Sequence, residues 1–152
     1  MKTTLPKLTI ELVPETCFYK NLRSVLPKRL WDYLRKGTYA KAGNRCEICG
    51  GDSRLECHEI FSYDDETYIQ KIIGLIALCN KCHSAKHIGL SRLRGNGREA
   101  EEHLRKVNGW SERETQEYIG DAFDVWALRS RHKWNQDLSW LEKFGITEKD
   151  FK

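Results

Sequence analysis

No window of this 152-residue chain approaches the roughly 20 consecutive apolar residues of a membrane span, so a transmembrane helix is excluded. Residues 1–12 hold lysines and a proline and no long apolar stretch, and no export signal is read there. A cytoplasmic protein with no membrane partner is the expectation. Internal repeats and low-complexity tracts are absent, as is any glycine-rich phosphate loop of the P-loop or dinucleotide type. Acidic residues are scarce in one stretch. The net charge is only +4, yet residues 20–45 hold Lys20, Arg23, Lys28, Arg29, Arg35, Lys36, Lys41 and Arg45 against Asp32 alone. A concentrated positive field attracts polyanions, and each cation set against a phosphate releases counterions from nucleic acid. A solvated helix face is the plainer alternative.

Cysteine, by contrast, is plentiful: six residues, four of them in two CxxC pairs, Cys46 with Cys49 and Cys79 with Cys82. Residues 50–78 lie between the pairs. Each pair turns tightly enough for both sulfurs to reach one ion, which is what a tetrahedral thiolate zinc site requires. Disulfides are the competing use of six cysteines; paired spacing, interleaved histidines and no export signal favour reduced thiolates on zinc. Cys17 stands apart and is read as structural or incidental. Histidines crowd the frame: His58 within the interval, His83 directly after the last cysteine, His87 four residues on. His103 and His132 have no partner in sequence and are read as surface residues.

The periodicities predict an α+β fold in one domain, residues 1–152. Residues 8–13 alternate apolar and polar side chains before Pro14, the pattern of a short half-buried strand. Pro27 opens a helix that buries Leu30, Trp31 and Leu34, turns its arginines outward, and stops before Gly43. Together these make an N-terminal unit, 1–44. Residues 45–90 are the metal-bearing core: a knuckle at Cys46–Gly51, a strand over 54–61, a polar turn over 63–66, a strand over 68–78 with Gly74 as a bulge, a second knuckle, and a helix over 81–88. That helix puts His83 and His87 on one face. Asp64, Asp65 and Glu66 would add oxygen ligands if the turn folds over the site. Beyond Gly89, glycines 95 and 97 mark a loop, and residues 91–152 read as a helical extension. Residues 98–107 form one helix, Ser111 with Glu114 signals a capping box for the next, and Trp134, Leu138, Trp140, Leu141 and Phe144 are read as its apolar packing.

The CxxCG at Cys46, the segment Leu55-Glu56-Cys57-His58-Glu59-Ile60, and LCxxCHxxxH ending at His87 together resemble the HNH, or ββα-metal, nucleases. The resemblance covers residues 46–87, a little over a quarter of the chain, and the flanking segments resemble those of bacterial and phage HNH proteins. It implies a treble-clef zinc core and a metal-dependent endonuclease that hydrolyses DNA phosphodiester bonds, with RNA open as a substrate. In the family a strand supplies a metal ligand followed by a water-activating histidine, and the next helix supplies further histidines. Two registers fit. In the preferred one His58 is the metal ligand and Glu59 the base, with Cys57 a small buried residue; in the other His58 is the base. His83 and His87 complete a catalytic set of His58, Glu59, His83 and His87. Alternatively, His83 caps its helix or replaces a cysteine at the zinc. Imidazole ligands favour zinc, nickel or cobalt for a second divalent ion, while magnesium, and manganese with it, prefer oxygen. Glu59 in place of the second histidine and Gly74 in place of the family's asparagine depart from the pattern in ways that bear on catalysis, leaving the fold reading intact. Arg29, Arg35, Lys36 and Lys41 on the basic helix, and Lys86, Arg92, Arg94 and Arg98 after the metal helix, are the residues placed to meet phosphates. The alternative function is a zinc module that binds DNA or a protein partner without hydrolysis. A thiol redox role requires free, low-pKa cysteines, which zinc ligation would deny it.

Overall fold

The computed structural model describes residues 5–17 and 21–152; Lys20 of the basic run lies outside the described residues. A long antiparallel hairpin forms the middle of the molecule. Strand β1 (Leu55–Asp64) pairs with β2 (Ile69–Cys79), with Cys57 opposite Ala77 and His58 opposite Ile76. Its turn is held by Asp64, whose Oδ1 accepts the backbone N–H groups of Glu66 and Thr67, an Asx turn of the kind short acidic side chains favour. The pairing slips between Ile60 and Phe61, so that Ile60 faces Gly74 and Phe61 faces Ile72. Ile73 is therefore the extra residue, and it is exposed. The bulge has a packing result. Ile72 and Leu75 are three apart, which in a regular strand would put them on opposite faces, yet both join one apolar cluster.

Each face of the hairpin carries its own core. On one, Cys57, Phe61, Ile72 and Leu75 pack against helices α1 (Leu22–Val25) and α2 (Lys28–Lys41) through Leu22, Leu26, Trp31 and Leu34, with Leu141 and Ile146 from the C-terminal segment. On the other, the cysteines themselves enter the core: Cys46, Cys79 and Cys82 pack with Leu8, Leu78, Ala85, Leu104, Trp110 and Ile119. That side is built by α3 (Asn80–Lys86), α4 (Ile88–Leu93), α5 (Gly97–Asn108) and α6 (Glu112–Arg129). The expected capping box is complete, with Ser111 Oγ accepting from Glu114 N and Glu114 Oε1 accepting from Ser111 N. Among the described residues no helix is long and apolar enough to cross a membrane.

Three expectations are corrected. Residues 8–13 alternate as read, with Leu8 fully buried, but they form no strand. Their backbone groups are taken by side chains instead: Asn108 Oδ1 accepts from Leu8 N and Tyr118 Oη from Ile10 N, while Glu11 N donates to the Lys86 carbonyl. The metal helix, read over 81–88, stops at Lys86: the chain kinks at His87 (φ −102°, ψ 50°) and restarts as α4, so the loop expected beyond Gly89 covers only 94–96. The tail is not wholly helical. Asn135–Asp137 forms β3, parallel to β2, and is followed by two 3-10 turns, Ser139–Phe144 and Glu148–Asp150. Trp134, just before it, sets its ring edge against Tyr63 and Tyr68 at the hairpin tip.

Candidate metal centres

The first knuckle closes on itself through Gly50 N donating to Cys46 O and Cys46 N donating to Gly51 O, both 2.9 Å. Gly50 sits at φ 76°, a backbone state that a side chain disfavours. Glu47 then anchors the knuckle to β2: its N–H donates to Ala77 O and its carboxylate accepts from Ala77 N. Cys79 caps α3, with Cys82 N directed at its sulfur at 3.4 Å. The result brings the sulfurs of Cys46, Cys49, Cys79 and Cys82 within 4.8 Å of one another. A tetrahedral zinc with bonds of about 2.3 Å separates its sulfurs by about 3.8 Å; Cys49 and Cys79 are 3.6 Å apart. All six cysteines are free thiols. Burial and the neighbouring Cys46 and Cys79 push the Cys82 thiol well up, whereas Cys46, despite burial, is drawn down to about 7 by the backbone N–H groups of Cys49 and Ile48. Four sulfurs this close are spaced to hold one metal ion, and as thiolates they would repel one another without it.

His103 joins this centre, contrary to its reading as a surface residue. Helix α5 packs on α3 and brings His103 Nε2 to 3.1 Å from Cys82 Sγ, placed to donate an N–H to the sulfur. His132 is exposed as expected, and its ring stacks on Tyr68 at 4.3 Å.

The second centre lies on the same face of the hairpin. His58 comes from β1, His83 from α3 and His87 from the kink after it, and one nitrogen from each falls within 4.8 Å of the others. Their ring centroids are 5.2, 5.0 and 4.8 Å apart. Bonds of about 2.0–2.1 Å from a shared ion would set three imidazoles roughly 5 Å apart, so the residues fit a metal. Burial, with smaller repulsion from His58 and the other imidazole, holds His87 down to about 3; burial likewise lowers His83, though its contact with Glu56 offsets part of this. Rings kept neutral at pH 7 offer lone pairs to a cation.

Two carboxylates flank these rings. His83 Nδ1 donates to Glu56 Oε1 at 3.0 Å, and His58 Nε2 donates to Glu11 Oε1 at 2.9 Å. Burial raises the Glu11 carboxyl, but the His58 bond and the Lys86 charge outweigh it and take it to about 2. Lys86 is itself buried, its ammonium bound by Glu11 Oε2 and by Thr9 Oγ1 at 2.9 Å. It does not face solvent, as a phosphate contact would require. Neither Glu11 nor Glu56 carries a signal in sequence.

Glu59 pairs opposite Leu75 and is buried, and its carboxylate is not part of the three-histidine group. Burial pushes the Cys57 thiol up to about 12, in keeping with a small buried residue. Glu59 does line a cavity of about 470 Å³ that also touches Glu11, His58 and His87 and is walled by Phe61, Tyr63 and Trp126. Asp64 and Asp65 stay at the hairpin tip, the latter paired with Arg129.

Of the expected phosphate contacts, Arg29, Lys36, Lys41, Arg94 and Arg98 are exposed. Arg35 is paired with Asp32, and Arg92 lies 3.6 Å from Glu101 with its guanidinium over the Phe123 ring. No protein-family model, curated protein or solved structure matches this chain.

Proposed function

We propose that this chain is a metal-dependent endonuclease of the HNH type that hydrolyses DNA phosphodiester bonds, built on a treble-clef, ββα-metal core. In this reading Cys46, Cys49, Cys79 and Cys82 hold a structural zinc, and His58, His83 and His87 hold a second divalent ion. The observation that carries it is the second cluster: three imidazoles converge beside, and separate from, a complete four-cysteine set. A structural zinc alone has no use for them. A bound ion there would supply the positive charge that stabilises a phosphate and its departing 3′ oxygen. The chain's own part is to hold three rings in one orientation and to present cations, among them Arg29, Lys36, Lys41 and Arg94, to the backbone of the duplex.

A second reading, a zinc module that binds DNA or protein without hydrolysis, is favoured by one observation: Glu59, the residue at the base position, is not among the ligand atoms that converge with His58, His83 and His87. A metal count on purified protein, joined to nicking of supercoiled plasmid in Mg, Mn, Co, Ni and Zn, separates the two. Two ions per chain, with nicking abolished by His58→Ala and by His83→Ala, is the expected result. One ion, no cleavage in any metal and retained salt-sensitive DNA binding would establish the module. Activity that survives Glu59→Gln removes Glu59 as the base.

A further inference from the structure

We propose that Glu11 is the positioning carboxylate of the three-histidine centre: by accepting the His58 Nε2–H bond it leaves His58 Nδ1 as the nitrogen that faces the ion. This rests on the reading of His58, His83 and His87 as a metal site.

A neutral imidazole has one N–H and one lone pair, and a hydrogen bond at one nitrogen decides which face of the ring can coordinate. His58 Nε2 lies 2.9 Å from Glu11 Oε1, which commits that nitrogen to the proton. The same arrangement holds at the neighbouring ring, where His83 Nδ1 is committed to Glu56 at 3.0 Å, leaving Nε2 for the ion. Glu11 has a restraint of its own. Its other oxygen is bound by Lys86, which is only 4% exposed and also donates to Thr9, and its backbone N–H donates to the Lys86 carbonyl. Lys86 directly precedes His87. A single ion pair, buried on its Lys86 side, thus ties the N-terminal segment to both the strand and the helix that supply the imidazoles. A carboxylate that served only to neutralise Lys86 would have no need to spend its second oxygen on His58.

The test is made on the full chain loaded with zinc. Long-range proton–nitrogen correlation spectra are expected to show His58 protonated at Nε2 and metal-shifted at Nδ1; a proton on Nδ1 with Nε2 metal-bound overturns the proposal. Titration with Co²⁺ gives a second readout, since the thiolate site reports through sulfur-to-cobalt charge transfer while calorimetry counts both ions. Glu11→Gln is expected to weaken the second ion by about 10–100-fold and leave the first unchanged. Because that variant strands the Lys86 charge, the double variant Glu11→Gln with Lys86→Met is measured alongside. Second-ion affinity within twofold of wild type in the folded double variant overturns the proposal. Wild-type protein that takes up one ion only defeats the metal-site reading itself, and so is distinguishable from failure of Glu11.

Discussion

Tyr63 sits near the hairpin tip with its ring edge against Trp134, the Arg129 guanidinium 4.6 Å above its face, and Gln70 Nε2 donating to its hydroxyl. Burial penalises the phenolate more than the Gln70 bond favours it, and the group is pushed from 10.0 up to about 12. Because the folded value is raised, the stability this group contributes is complete below pH 10 and is lost as pH climbs to about 12. That contribution is about 2–3 kcal/mol. Burial also raises Tyr39 and Tyr118; ultraviolet titration of tyrosinate should show a phase near pH 12 that Tyr63→Phe removes, and joint titration of all six tyrosines near pH 10 would refute it. Among the site residues, the cysteines were legible because thiolate ligation imposes a short spacing that survives without any knowledge of the fold. His58, His83 and His87 were legible by their order relative to those cysteines. Glu11, Glu56 and His103 were not, since each meets its partner across at least 20 residues of chain and nothing local requires it.

At the scale of elements, the signals that held were those whose chemistry closes within four residues. The capping box of α6 is one, and it can be priced. Ser111→Ala removes the acceptor for Glu114 N and should destabilise the fold by about 1 kcal/mol, a fall of roughly 3 °C in melting temperature. A thermal melt of the variant checks it; an unchanged midpoint would mean the N-terminus of α6 is frayed in solution. Elements that failed to show in sequence lacked a local cause. β3 is Asn-Gln-Asp, with no apolar alternation, and becomes a strand because Trp134 and Leu138 pin its ends while β2 offers a free edge. Residues 8–13 had the alternation of a strand and yet met side chains and one helix carbonyl, that of Lys86, in place of a partner strand. Periodicity told which residues face the core, and left unsaid what the backbone would bond to.

For the whole molecule, three of the four cysteines are part of a core and not a peripheral clip, Cys49 alone being exposed. Cys46, Cys79 and Cys82 are within 5% exposure, packed with Leu104, Trp110 and Ile119 from helices and a loop far along the chain. With a zinc held there as proposed, its removal would leave mutually repelling thiolates, or reprotonated thiols with no ligand to bind, in an apolar setting. Stripping the protein with a strong chelator should therefore lower the melting temperature by more than about 10 °C, and replacing Cys82 by Ala should do the same without chelator. A melt that is insensitive to both would show that the apolar packing alone sustains this half of the fold.

The way the N-terminal segment is fastened has a bearing on the order in which the molecule can be assembled during synthesis. Leu8 is held by Asn108, Ile10 by Tyr118, and Cys17 bridges to Trp134. A growing chain that has just exposed His87 has all three imidazoles and both CxxC pairs, but residues 8–17 still lack the helices that seat them. At roughly 5–20 residues per second, the interval before Tyr118 and Trp134 follow is on the order of seconds. Residues 5–17 thus find their place only after Tyr118 and Trp134 have been made, and the imidazole cluster, fastened through Glu11, reaches its final form no sooner.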